Sequence, residues 1–214
     1  MPEPQTILEQ LATASRGALG LAMAWHVVIV LTVAALVLGW RPSQRAAAVA
    51  LCAPIGSSAV VAFAVGNGFN GLVLGALAVA LFLLAFRLPV ERAERGSSVA
   101  TTVGCGMIAF ATFYPHFLSD RTPVAYLYAA PTGVIPCPTL SLVIGFALLG
   151  GGLRAPVWSS VLAAVGLFYG LFGVARLGVQ LDVALIAGAA TLLALSVAAW
   201  GSRDRHARGL ARNL

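Results

Sequence analysis

The chain contains no lysine. All 13 of its basic residues are arginines, so a retinal Schiff base is excluded. Charge of either sign is scarce: 9% of the 214 residues are charged and 60% are apolar, and nearly all the apolar residues fall in long runs, which leaves no room for a separate soluble domain. Cysteine is scarce too. Cys52, Cys105 and Cys137 lie in or beside apolar runs and form no CxxC pair, so they are not a disulfide framework. The N-terminus, MPEPQTILEQ, lacks a basic n-region and carries Glu3 and Glu9 instead. The apolar run after it is too long for a signal-peptide core, so no cleavage is expected.

What the chain does have is repeated apolar segments near the roughly 20 residues that a helix needs to cross about 30 Å of hydrocarbon. Runs and breakers place spans near residues 17–39, 46–65, 70–88, 98–118, 134–153, 156–176 and 180–200. The expected fold is an all-α integral membrane protein: a short arm over 1–16, one bundle of seven transmembrane helices over 17–200, and a basic tail over 201–214. Seven spans put the two ends on opposite sides. Alternate connections and the tail carry Arg41, Arg45, Arg87, Arg92, Arg95, Arg154, Arg203, Arg205, Arg208 and Arg212, whereas the other side has only Arg16, Arg121 and Arg176. The positive-inside rule then places the N-terminus outside and the C-terminus in the cytoplasm, in a bacterial cytoplasmic (inner) membrane. Topology also accounts for the net charge of +6, so the partner expected is the lipid bilayer and no nucleic acid. A homo-oligomer or a larger membrane complex stays open.

Small residues suit close helix packing in lipid, and Gly71-x-x-x-Gly75, Gly166-x-x-x-Gly170 and the run Gly150–Gly152 read as packing faces. Trp40 and Trp200 fall at span ends, where an amphipathic ring anchors at the headgroups. There is no internal repeat of the kind that marks many transporters.

The segment from Tyr114 to Thr139, YPHFLSDRTPVAYLYAAPTGVIPCPT, holds five of the 11 prolines beside a histidine and a cysteine. Prolines on both sides of Cys137 remove backbone donors and oppose a regular helix, so Pro131–Pro138 is expected to be an irregular segment dipping into the outer face. Tyr114, Tyr169, Asn67 and Thr139 are the partners expected for its free carbonyls. Other unusual residues fall at the same level or below it: Asn67 and Asn70 beside the turn between spans two and three, Tyr169 and Arg176 toward the outer end of span six, Asp182 just inside span seven, and His26 some nine residues into span one.

Ionisable groups within a membrane face a bundle interior or a wet cavity. His26, Asn67, Tyr114, Tyr169 and Asp182 are therefore candidate ligand-binding residues, and His116 with Cys137 is a candidate pair for a soft transition metal ion. Plainer roles stand beside these: a structural imidazole for His26, a surface pair with Arg176 or a helix cap for Asp182, and an inert thiol at a kinked span start for Cys137. The three cysteines lie at different depths and do not form one metal site. Haem ligation by His26 and His116 suffers from their difference in depth, a zinc hydrolase lacks ligands, and Ser57, Ser58 and Ser119 carry no nucleophile motif.

Tyr114-Pro115, followed by Pro131-Thr132 and then Pro136-Cys137-Pro138-Thr139, resembles the signature of a bacterial family of polytopic membrane proteins of unknown function. Gly133 stands one place earlier than in that pattern, and Asp182 resembles the aspartate at the head of the family's last span. The resemblance implies the membrane fold and a role for the Cys137 segment, and brings no known activity. The functional expectation is a small membrane binding or transport protein with a polar pocket open to the extracytoplasmic side, taking a soft metal ion or a small solute. An accessory or assembly subunit docking through its glycine faces is the alternative, and an intramembrane metal-dependent enzyme the third.

Overall fold

The computed structural model describes residues 3–115, 117 and 123–211. Regular structure among them is helical, without a strand: α1 (Pro4–Gly17), α2 (Leu19–Val37), α3 (Gln44–Ala64), α4 (Gly68–Ala85), α5 (Ser98–Thr112), α6 (Tyr126–Ala129), α7 (Pro136–Leu149), α8 (Pro156–Leu177) and α9 (Val183–Ala211). Local signals set the starts. Ser43, Asn67 and Ser97 each accept a hydrogen bond from the backbone N–H three residues on, at 3.1, 3.1 and 3.3 Å, as N-cap residues do. Proline opens α1, α7 and α8, where its fixed φ suits the first turn.

Five segments are long and apolar enough to cross a membrane: Leu19–Val37, Gln44–Ala64, Gly68–Ala85, Pro156–Leu177 and Gln180–Gly201. The spans expected at 98–118 and 134–153 come out shorter, as the 15 residues of α5 and the 14 of α7. At 1.5 Å per residue these are roughly 21–23 Å long, less than the hydrocarbon thickness. For α7 the reason lies in its surroundings: Leu140, Val143, Ile144, Ala147 and Leu148 are all fully buried, against α3, α5, α8 and α9. A helix enclosed by protein can be continued by irregular backbone at membrane depth.

Most of the expected glycine faces are used within the bundle. A Cβ on Gly71 would lie 2.7 Å from the Phe63 ring, one on Gly166 2.7 Å from Ile144, and one on Gly170 2.7 Å from Ile186. A close backbone-to-backbone crossing involves two glycines not singled out by spacing: a Cβ on Gly104 would stand 2.8 Å from the Gly145 carbonyl oxygen, and one on Gly145 2.9 Å from that of Gly104. Gly150–Gly152 is not a packing face. Gly151 and Gly152 have φ of +59° and +68° and turn the chain between α7 and α8.

The N-terminal arm is helix α1. It packs against α2 and α8, with Leu11 turned to a small buried cluster that includes Tyr114, Val134 and Ile135. Outward-facing positions elsewhere are strongly apolar, for example Val30 and Leu31 on α2, Val79 and Leu83 on α4 and Leu171 on α8, as contact with lipid requires.

Candidate functional site

The start of α7 departs from the irregular Pro-Cys-Pro expected. Pro136, Cys137 and Pro138 form the helix's first turn, where backbone N–H groups have no intrahelical partner and two prolines cost no hydrogen bond. The irregular part is the buried segment before it, residues 131–135. Its carbonyls are satisfied chiefly by hydroxyls. Ser57 donates to Gly133 O at 2.5 Å, Ser58 to Val134 O at 3.0 Å and Thr139 to Ile135 O at 2.6 Å. Thr139 also accepts from Gly133 N at 2.8 Å, while Thr132 donates to Ala111 O at 2.6 Å. Of the partners expected, only Thr139 serves here. The two α3 serines, which lacked any catalytic motif, hold the segment instead.

This frame fixes Cys137 at the end of the bundle where α4 and α9 begin and α5 and α8 stop. After α8 the chain reverses at Gly178, whose φ of +70° glycine adopts without the steric cost of a Cβ. Val179 N–H bonds back to Gly173 O at 2.9 Å. A single 3-10 turn, Gln180–Asp182, then brings Asp182 against α8 at Gly173. A Cβ on Gly173 would fall onto the Asp182 carboxylate, so the missing side chain makes room for the charged one.

Three of the candidate residues meet there. Tyr114 donates its hydroxyl proton to Asp182 Oδ1 at 2.9 Å, and the Cys137 thiol donates to Oδ2 at 3.2 Å. Asp182 is 1% exposed, and among the described residues no arginine forms an ion pair with it. The pairing with Arg176 therefore does not occur. Tyr169 joins from α8, donating to Asn70 Oδ1 at 3.0 Å. These five side chains line a cavity of about 30 Å³ together with Ile7 and Leu11 of α1 and with Phe172, Leu177 and Val179. A space of that size holds about one water molecule.

A carboxylate has about four acceptor positions, and two are taken by Tyr114 and Cys137. The remainder lie beside the cavity and suit a proton, a water or a small cation. Metal chemistry is constrained by the donor set, since among the described residues no three His, Cys, Asp or Glu side chains come together. One thiol and one carboxylate, supplemented by neutral oxygens, fall short of the three or four protein ligands usual for zinc.

The other candidates lie elsewhere. His26 has Nδ1 2.9 Å from Ala22 O and Nε2 3.1 Å from Thr112 O, which ties α2 to the end of α5. Asn67 caps α4 through Asn70 N. His116 lies outside the described residues. Asn70 and Gly173 are the site residues that spacing did not single out; Asn70 was visible only as a polar residue near a turn, and Gly173 as a third glycine after Gly166 and Gly170 on the same helix. No protein-family model, curated protein or solved structure matches the chain.

Proposed function

We propose that the protein is a seven-span integral membrane binding or transport protein, N-terminus outside, whose Asp182 pocket takes a proton or a small cation, including a soft metal ion. The observation that carries this reading is Asp182 itself: a buried carboxylate held by two neutral donors, with its remaining lone pairs beside a cavity of about 30 Å³. A buried anion without a counter-ion is costly, and taking up a cation removes that cost. The small volume narrows the ligand from a solute in general to an ion or a water-sized species. Cys137 adds preference for soft ions, since thiol sulfur favours Cu(I) over hard cations. α5 and α7 count as spans four and five because their neighbours and the flanking irregular segments complete the passage. The arginine asymmetry supports an extracytoplasmic pocket, and the likeness of the Pro-Cys-Pro-Thr stretch to the bacterial membrane family agrees with a role for this segment.

The test is calorimetric titration of the purified full chain with Cu(I) and Ag(I), alongside difference infrared spectroscopy on a pH step. Saturable metal binding lost in Asp182→Asn and weakened in Cys137→Ser is the outcome expected for the metal form. Absence of metal binding together with a protonated-carboxyl band that disappears in Asp182→Asn selects the proton form. Neither signal depending on Asp182 overturns the proposal.

A further inference from the structure

α2 is hydrogen-bonded to α3 and α5 through side chains of its first half. Trp25 Nε1 donates to Ser57 Oγ at 3.0 Å and His26 reaches Thr112 O at 3.1 Å, whereas further along Val33 makes an apolar contact with the cluster of Ile29, Ile108, Ala111 and Leu142 and a gap opens beside it, lined by α2, α3, α5 and α7. α2 is the least buried of the five long apolar helices, at 17% of its window. The gap is a cleft of about 640 Å³, within the size range of ligand sites of roughly 300–1,000 Å³. Its walls are apolar, among them Leu36 on α2, Leu51 on α3 and Phe146 on α7, and at its open end stand Trp40, Arg41 and Arg95.

That open end is a built structure. Ala93 N bonds Pro42 O at 2.9 Å and Gln44 N bonds Glu91 O at 2.8 Å, which pins together the two loops bearing the arginines, and Gly96 N bonds Leu149 O at 2.9 Å, which ties the second loop to α7. Glu94, the acidic residue lining the cleft, is paired with Arg154. The charge presented at the mouth is therefore that of Arg41 and Arg95. From Trp25 to Val37 the helix covers about 18 Å at 1.5 Å per residue, close to the roughly 20 Å of half a bilayer with its headgroups.

We infer that this cleft is a binding site for a single phospholipid with an anionic headgroup, its acyl chain lying along α2 and its phosphate between Arg41 and Arg95. Guanidinium groups recognise phosphate oxygens through paired N–H donors, and Trp40 supplies the amphipathic ring that sits at headgroup level. The apolar length accounts for a chain, and the two arginines for the headgroup's sign. The site is separate from Asp182, at the opposite end of the bundle.

The experiment uses the full chain in nanodiscs containing brominated phosphatidylglycerol or, at the same fraction, brominated phosphatidylcholine. In a Trp40→Tyr/Trp200→Phe background, which keeps an amphipathic ring at residue 40, Trp25 reports from the deep end of the cleft, while Trp158 is buried and bonded to Leu81 O. Phosphatidylglycerol should quench Trp25 at a roughly 30-fold lower fraction, as two arginine–headgroup attractions imply, and Arg41→Gln/Arg95→Gln should remove the difference while Asp182→Asn leaves it intact. A second readout needs no arginine variant. Cys105 is the exposed cysteine among the described residues and lines the cleft, so phosphatidylglycerol should slow its reaction with an apolar maleimide in otherwise wild-type protein. Equal effects of both lipids, equal protection by inorganic phosphate, or native mass spectra showing a second polypeptide in place of bound lipid would each overturn the inference.

Discussion

Asp182 and Cys137, 45 positions apart in sequence, meet at 3.2 Å between carboxylate and thiol. Two glycines create the meeting: Gly178 reverses the chain after α8, and Gly173 vacates the space that the carboxylate fills. The other carboxylate oxygen is held by Tyr114. Asp182→Asn keeps the side chain's size and an oxygen for one donor, so it should change stability by less than about 1 kcal/mol while abolishing cation or proton uptake. Asp182→Ala strands both buried donors and should cost roughly 2 kcal/mol or more. Thermal unfolding of the two variants in detergent separates these effects.

Gly173→Ala tests the space itself. Its Cβ would collide with the carboxylate, and overpacking of a tight interior contact typically costs about 1–3 kcal/mol. The Asp182→Ala/Gly173→Ala double variant should be less destabilised than the sum of the two single changes, because removing the carboxylate frees the space that the new methyl needs. Additive losses in unfolding measurements would show that the clash is relieved in some other way.

Much of the fold was legible in the sequence. The long apolar runs became five long helices, and Tyr114, Cys137, Tyr169 and Asp182, grouped by depth alone, line one cavity. Depth could not tell which way a side chain points around its helix. His26 shares the apolar setting of the others, yet it turns to Ala22 O and Thr112 O, and Asn67 spends its side chain on a cap. Pro136-Cys137-Pro138 is helical for a different reason: proline breaks a helix in its interior but is at home in the first turn, and which of the two applies depends on where the helix starts. Ser57 and Ser58 carry no nucleophile motif, and their work as carbonyl partners for residues 133 and 134 has no local motif either.

His26→Gln offers the contrasting outcome. The histidine joins α2 to α5 and is not among the residues lining the cavity. The substitution should lower stability by about 1 kcal/mol, the usual net worth of a buried hydrogen bond, and leave ion uptake unchanged. Loss of uptake at retained stability, read by calorimetry and thermal unfolding on the same sample, would bring His26 into the functional site.

The C-terminus is expected in the cytoplasm. A C-terminal green fluorescent protein fusion should fluoresce, and a C-terminal alkaline phosphatase fusion should be inactive, because the first matures in the cytoplasm and the second needs an oxidising compartment for its disulfides. The opposite pair of signals would invert the orientation and move the Asp182 pocket to the cytoplasmic face.

Gly133 provides the last prediction. Its φ is +76°, a region that costs other residues about 1–2 kcal/mol, and a Cβ there would run into the Trp25 indole. The same ring donates to Ser57 Oγ, which in turn bonds Gly133 O, so one contact joins α2, α3 and the segment leading to Cys137. Gly133→Ala should therefore both destabilise the protein and displace the first turn of α7, weakening uptake at Asp182 although residue 133 does not line the cavity. Trp25→Phe keeps an aromatic ring but loses the N–H donor. It should weaken stability by about 1 kcal/mol and leave the backbone at Gly133, and hence uptake, intact. Measured together by thermal unfolding and ion titration, a Gly133→Ala variant with full uptake would show that the segment can shift without moving Cys137.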